Sequence, residues 1–163
     1  LYMELGRRLD LNIQGVGLPG HFVVKHVVAD GDEQLIDPFD SGQRLTREDA
    51  SRLVRSATGR PLVDAHLRSV TKQEILSRML TNLSNLAERR QDSPARLRYL
   101  QAQIALEPEA FQLRGMRAVL HAEMGRVAAA LADLDWILKT EPPGLDLEQV
   151  RRMRTIFERQ PPR

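Results

Sequence analysis

The tetrapeptides Ala105-Leu106-Glu107-Pro108 and Lys139-Thr140-Glu141-Pro142 each end a helical pattern, and their prolines stand 34 residues apart. Proline closes a helix because it lacks an amide donor and its ring clashes with the preceding turn. Helical patterns run over residues 71–89 and 93–106, then over 109–123 and 127–139, with 146–159 trailing. Paired helices at a fixed period bury their apolar faces only by stacking on their neighbours. Everything beyond residue 70 is therefore constrained to a layered all-α array.

A 34-residue period with two helices per unit is the signature of tetratricopeptide repeats. The second unit has small or apolar residues where stacked helices need them: Ala118, Gly125 in the turn, Ala130, Leu134 and the closing Pro142. The first is degenerate, with Gln91 in place of the turn glycine and Arg96 and Gln103 at positions that favour alanine. Thr71 is expected to cap the first long helix, along which Ile75, Met79, Leu83 and Leu86 form an apolar stripe. Trp136 and the Leu/Ala positions of 128–138 read as core between helices. Arg151, Arg152, Arg154 and Arg159, interspersed with Glu148 and Glu158, read as a solvated face. Two units and a trailing helix are few for a free-standing solenoid, so the array is expected to lean on the N-terminal part.

That N-terminal part has a different grammar. Residues 1–9 are amphipathic, with Leu1, Met3, Leu5 and Leu9 set against Arg7 and Arg8, and read as the tail of a helix. No N-cap precedes them, so further residues are expected upstream. Residues 13–17 read as a strand, Leu18-Pro19-Gly20 as a turn, and 21–28, HFVVKHVV, as the best strand in the chain. Asp30-Gly31 is a hairpin-turn dipeptide, 33–36 is the returning strand, and Asp37-Pro38 stops it. A capping box at Thr46–Asp49 starts a helix expected to reach Ser56, residues 58–61 break it, and 61–70 hold at most one helical turn.

His21 opens the first hairpin strand and Asp37 closes the second. A histidine and an acid on neighbouring strands are two members of a nucleophile–base–acid constellation. Register decides whether they can meet. A two-residue Asp30-Gly31 loop pairs positions summing to 61, which sets Asp37 opposite Val24 and turns His21 to the other face. A three- or five-residue loop, or a bulge, restores a common face. His26 lies an odd number of residues from His21 and shares no face with it. His66 and His121 stand alone in helical surroundings, with no ligands at metal spacing. Gly15, Gly17 and Gly20 precede a strand rather than open a helix, so they form no phosphate loop. No cofactor or metal is expected.

Composition narrows the rest. The net charge is +2 with no dense basic block, which gives no reason to expect nucleic acid or a membrane surface as partner. No apolar run reaches the roughly 18 residues of a bilayer span, and no signal segment is evident. The chain has no cysteine, in keeping with a reducing, cytoplasmic setting, and no serine precedes His21. Residues 1–163 thus supply no thiol nucleophile.

PGHF at 19–22, DPF at 37–39 and the trailing repeat pair together resemble the SirB family of transglutaminase-like proteins. The resemblance implies an α+β class: a partial transglutaminase-like (papain-like) helix and small antiparallel sheet over residues 1–70, then tetratricopeptide-like helices over 71–163. It also implies a cysteine just before Leu1, at the start of the first helix, with His21 as its base and Asp37 orienting the ring. Two functions stay open. One is a non-catalytic or regulatory module that binds a protein or peptide in the repeat groove. The other is a cysteine-dependent acyl-transfer enzyme using His21 and Asp37. Oligomeric state is not readable.

Overall fold

The computed structural model describes residues 1–159, which divide into two compact units, 1–75 and from Leu76 onward. The first unit is α+β. It contains α1 (Tyr2–Arg8), β1 (Ile13–Val16), β2 (Val23–Val27), β3 (Glu33–Asp37), β4 (Gln43–Leu45) and α2 (Arg47–Thr58), then a single 3-10 turn, Asp64–Leu67. The strands form one antiparallel sheet in the order β1-β2-β3-β4. β4 was not foreseen: three residues, of which only Leu45 is buried, carry too little alternation to be read as a strand. Its brevity, and the backbone bridge from Ser69 to Val16 on the opposite edge, leave little unpaired strand exposed.

The β2–β3 register settles the facing of the hairpin. Val24 pairs with Ile36, Lys25 with Leu35 and Val27 with Glu33, so partners sum to 60. Val28 N–H donates to Asp32 O at 3.0 Å, and the loop is the three residues Ala29, Asp30 and Gly31. Gly31 takes the left-handed conformation, with φ of 93°. This is a three-residue hairpin with its glycine at the positive-φ position, not the two-residue turn that Asp-Gly alone favours.

Each face of the sheet has its own cover. Val16, Val23 and Leu45 pack against Ala50 and Val54 of α2, with Leu18 completing a buried cluster. Each such side chain removed from water contributes about 1.5–3 kcal/mol before entropy is counted. Thr46 caps α2 in a reciprocal box with Asp49, and left-handed Gly59 ends it. On the other face α1 lies close, because Gly6 has no Cβ to strike Ile13. Gly15 is likewise approached by Phe22, Met3 and Ile75. The first unit extends a few residues into α3 (Lys72–Arg89), as far as Ile75.

The second unit comprises the rest of α3 with α4 (Ser93–Leu106), α5 (Phe111–Glu123), α6 (Val127–Thr140) and α7 (Leu147–Glu158). Thr71 and Glu74 cap α3 reciprocally. Ala118, Leu134, Ile137 and Val150 form one buried cluster, against which Trp136 packs. Leu97, Leu100 and Leu120 form another. The two turns, 34 residues apart, share a left-handed residue: Gly125 at φ 72° and Gln91 at φ 55°. A non-glycine residue there is strained, which is the local cost of the degenerate first repeat.

Several polar side chains inside this unit pair across helices. Arg96, at an alanine-favouring position, reaches Glu88 at 2.8 Å, and buried Gln103 donates to Thr81 Oγ1 at 2.8 Å. Arg117 grips buried Asp133 with two bonds of 2.8 and 2.6 Å, and the Arg114 guanidinium lies 3.9 Å above the Trp136 ring. Burial pushes the His121 imidazole below its usual value, opposed by the Asp133 charge. The α3 stripe differs from expectation: Met79 and Leu83 are exposed, and the buried α3 residues are the small Ser84 and Ala87. Close helix packing selects small side chains there, which apolar periodicity does not register.

Two glycines should respond oppositely to alanine. A Cβ at Gly6 would lie 2.9 Å from Ile13 Cβ, whereas nothing lies within 4 Å of one at Gly115 in α5. Gly6→Ala is expected to destabilise the first unit by about 1–3 kcal/mol, measured by amide exchange across β1 and β2. Gly115→Ala should stabilise the second unit by about 0.5–1 kcal/mol, read as a higher urea midpoint followed by Trp136 fluorescence.

Candidate functional site

The site is built on one end of the sheet. Asp37 is the last residue of β3, and the sum-60 register sets its position level with Val23, two residues after His21. Asp37 and His21 therefore share a face, and His21 Nε2–H donates to Asp37 Oδ2 at 2.7 Å. The carboxylate is buried, at 6% side-chain exposure, while the imidazole keeps 27%. A carboxylate only accepts, so this bond puts a proton on Nε2, and in the neutral imidazole Nδ1 is then the acceptor nitrogen.

The second carboxylate oxygen has its own task. Oδ1 accepts the backbone N–H of Phe39 at 2.9 Å, turning the chain immediately after Pro38. Gly42 N–H donates to Asp37 O and Gln43 N–H to Asp40 O, both at 2.9 Å, so residues 38–42 form a closed loop. Ser41 and Gly42 are left-handed at its tip. The loop brings the Phe39 ring against His21 in a T-shaped contact, with centroids 5.8 Å apart and planes at 62°. Phe39 is 75% exposed. Its other end meets α1: a Cβ at Gly42 would lie 2.5 Å from the Tyr2 hydroxyl.

Beside Asp37 is a shallow pocket of about 300 Å³ lined by Asp40, Gln43, Asp49, Arg52 and Ser56 with Leu45 and Leu53. Asp49 is already committed: the Thr46 backbone N–H, its hydroxyl and Arg52 hold the carboxyl below the usual range. Sequence reasoning read Asp49 only as a helix cap and did not place it near Asp37, since no local pattern links β4 to α2. Phe39 stands in the DPF motif, which by itself assigns the ring no part. The signal was present, as a large aromatic following an Asp-Pro strand stop.

The other histidines lie elsewhere. His26 pairs with Ile13 and Gln34 on the opposite face of the sheet. His66 Nδ1 accepts the Val63 N–H at 3.3 Å, and His121 is buried in the helical unit. Among the described residues, no group of three His, Cys, Asp or Glu side chains converges as metal ligands would. No described helix is long and apolar enough to cross a membrane.

Asp37→Ala should leave both the His21 ring and the Phe39 amide without their acceptor, at a cost of about 1–3 kcal/mol. The expected NMR signature is loss of the hydrogen-bonded His21 Nε2–H resonance. Asp37→Asn, which retains an acceptor oxygen, should unfold closer to wild type in the same denaturant titration.

Residues 1–81 match the model of the transglutaminase-like superfamily, and residues 83–155 match that of the tetratricopeptide repeat. A UPF0162 protein of Pseudomonas aeruginosa is 32% identical over 164 residues, covering 98% of this chain and 58% of the relative. A UPF0162 protein of Xylella fastidiosa is 31% identical over 160 residues, covering 93% and 55%. The human F-box only protein 21 is 29% identical over 135 residues, covering 77% of this chain and 21% of its own length. The chain thus spans little more than half the length of these bacterial relatives. No solved structure matches it. The matches support placing this chain with transglutaminase-like proteins that carry tetratricopeptide repeats.

Proposed function

We propose that the chain is a cytoplasmic protein-interaction module of the SirB family, whose helical repeats hold a protein or peptide. The observation that carries this reading is a pair of equivalent, solvent-facing positions on the first helices of the two repeats. Met116 and Val119 are exposed on α5, and Asn82 and Asn85, each 34 residues earlier, are exposed on α3. Residues three apart share a helix face. Each helix thus offers two adjacent side chains, amides on α3 for backbone groups of a peptide and apolar surface on α5 for its side chains.

The test is affinity capture from the host lysate with wild type, a Met116→Glu/Val119→Glu variant and an Ala132→Glu control on α6. A partner held by wild type and control, and at least tenfold depleted on the double variant, is expected. Equal capture by all three would sink the groove reading.

The His21–Asp37 bond supports a second reading, a cysteine-dependent acyl transfer. Residues 1–163 contain no cysteine, so the thiol would come from elsewhere in the full-length gene product. His21 Nδ1 would take the thiol proton as sulfur attacks the carbonyl carbon of an amide or thioester. The C–N or C–S bond breaks, and the leaving group takes the proton from the imidazolium. Water or an amine, deprotonated by Nδ1, then displaces the thiolate. The check is thiol labelling of the full-length gene product across pH. Labelling well below the free-thiol value of about 8.5, slowed by His21→Ala, is the expected result. Absence of a His21-dependent thiol would end this reading.

A further inference from the structure

We infer that Phe39 is the specificity-determining residue of the His21 site, forming an apolar wall for the group that flanks the carbonyl presented to His21. The inference rests on the acyl-transfer reading. Isolated exposed apolar residues are ordinary on protein surfaces. Phe39 differs in how it is held. Its backbone N–H is bound at 2.9 Å by the same carboxylate that orients His21 at 2.7 Å. The loop that carries it closes through two further backbone bonds of 2.9 Å and accepts a left-handed serine, Ser41, at φ 52°. All of this keeps the phenyl ring out of the core, 75% exposed and 5.8 Å from the imidazole.

The arrangement has a chemical consequence. The phenyl ring meets the His21 imidazole in a tilted, T-shaped contact, and most of the residue faces solvent beside that imidazole. A substrate whose carbonyl is brought up to the His21 imidazole would place an adjoining aliphatic or aromatic group on the phenyl ring 5.8 Å away. The polar groups of the neighbouring pocket, Asp40, Gln43, Asp49 and Arg52, line it together with Asp37, and Phe39 is not among its lining residues. The substrate class is therefore an amide or thioester with an apolar group next to the scissile carbonyl. Aromatic contacts of this kind are worth about 0.5–1.5 kcal/mol, or roughly 2- to 12-fold in rate.

The experiment measures labelling rates of the full-length gene product with N-benzylmaleimide and N-methylmaleimide, which share a reactive group and differ in apolar bulk. Wild type, Phe39→Ala, Phe39→Leu and His21→Ala are compared, with folding verified by circular dichroism. Phe39→Ala is expected to lower the benzyl-to-methyl rate ratio about 3- to 10-fold, Phe39→Leu less, and His21→Ala to slow both reagents alike. If Phe39→Ala slows both reagents equally, the ring only supports His21, and the specificity role is overturned while the acyl-transfer reading stands. An unchanged ratio in Phe39→Ala, with His21→Ala still slowing both, has the same meaning. If no thiol depends on His21, both fall together.

Discussion

The two oxygens of the Asp37 carboxylate organise the exposed end of the first unit. Oδ2 takes the imidazole N–H of His21, and Oδ1 takes the backbone N–H of Phe39. A buried carboxylate without partners would cost several kcal/mol, so its burial is stable only while donors meet it. The carboxylate therefore cannot be removed without releasing a side chain two residues before β2 and the loop after β3 together. The loop in turn meets Tyr2 at the start of α1, which extends the linkage to a third element.

That carboxylate can act on His21 only because of a backbone decision made at the far end of the hairpin. A three-residue loop shifts every β2–β3 pair by one from what a two-residue loop would impose. With a side-chain period of two, a one-residue shift exchanges the faces of the whole strand. The same shift sends Val23 and Leu35 toward α2, so core packing and site geometry are satisfied by one register. Burial of the aliphatic face stabilises that register far more than the single polar bond does, and the site is carried by the core.

The helical unit meets the same demand with different means. Its second repeat has the small residues that let helices approach, with Ala118 and Ala130 fully buried. The first repeat has Arg96 and Gln103 instead, and each finds a partner on α3. Asp133, buried on α6, is matched by the Arg117 fork on α5, and Arg114 covers Trp136. Polar pairs across helix interfaces hold positions that apolar packing holds in a regular repeat, and they restrict how the helices slide.

Periodicity and punctuation in the sequence determined the element order, the 34-residue spacing and the α+β-then-α class, because proline stops, capping residues and apolar periods are local properties of the chain. They also brought His21 and Asp37 forward as a pair. Whether those side chains meet was beyond local reasoning, since Asp-Gly serves two- and three-residue loops alike, and only the packing of Val23 and Leu35 selects one. β4, the pocket between its neighbours and α2, and the exposure of Met79 and Leu83 were decided by tertiary structure for the same reason. Each depends on which surfaces remain uncovered after distant elements have packed, and a linear pattern carries no record of that.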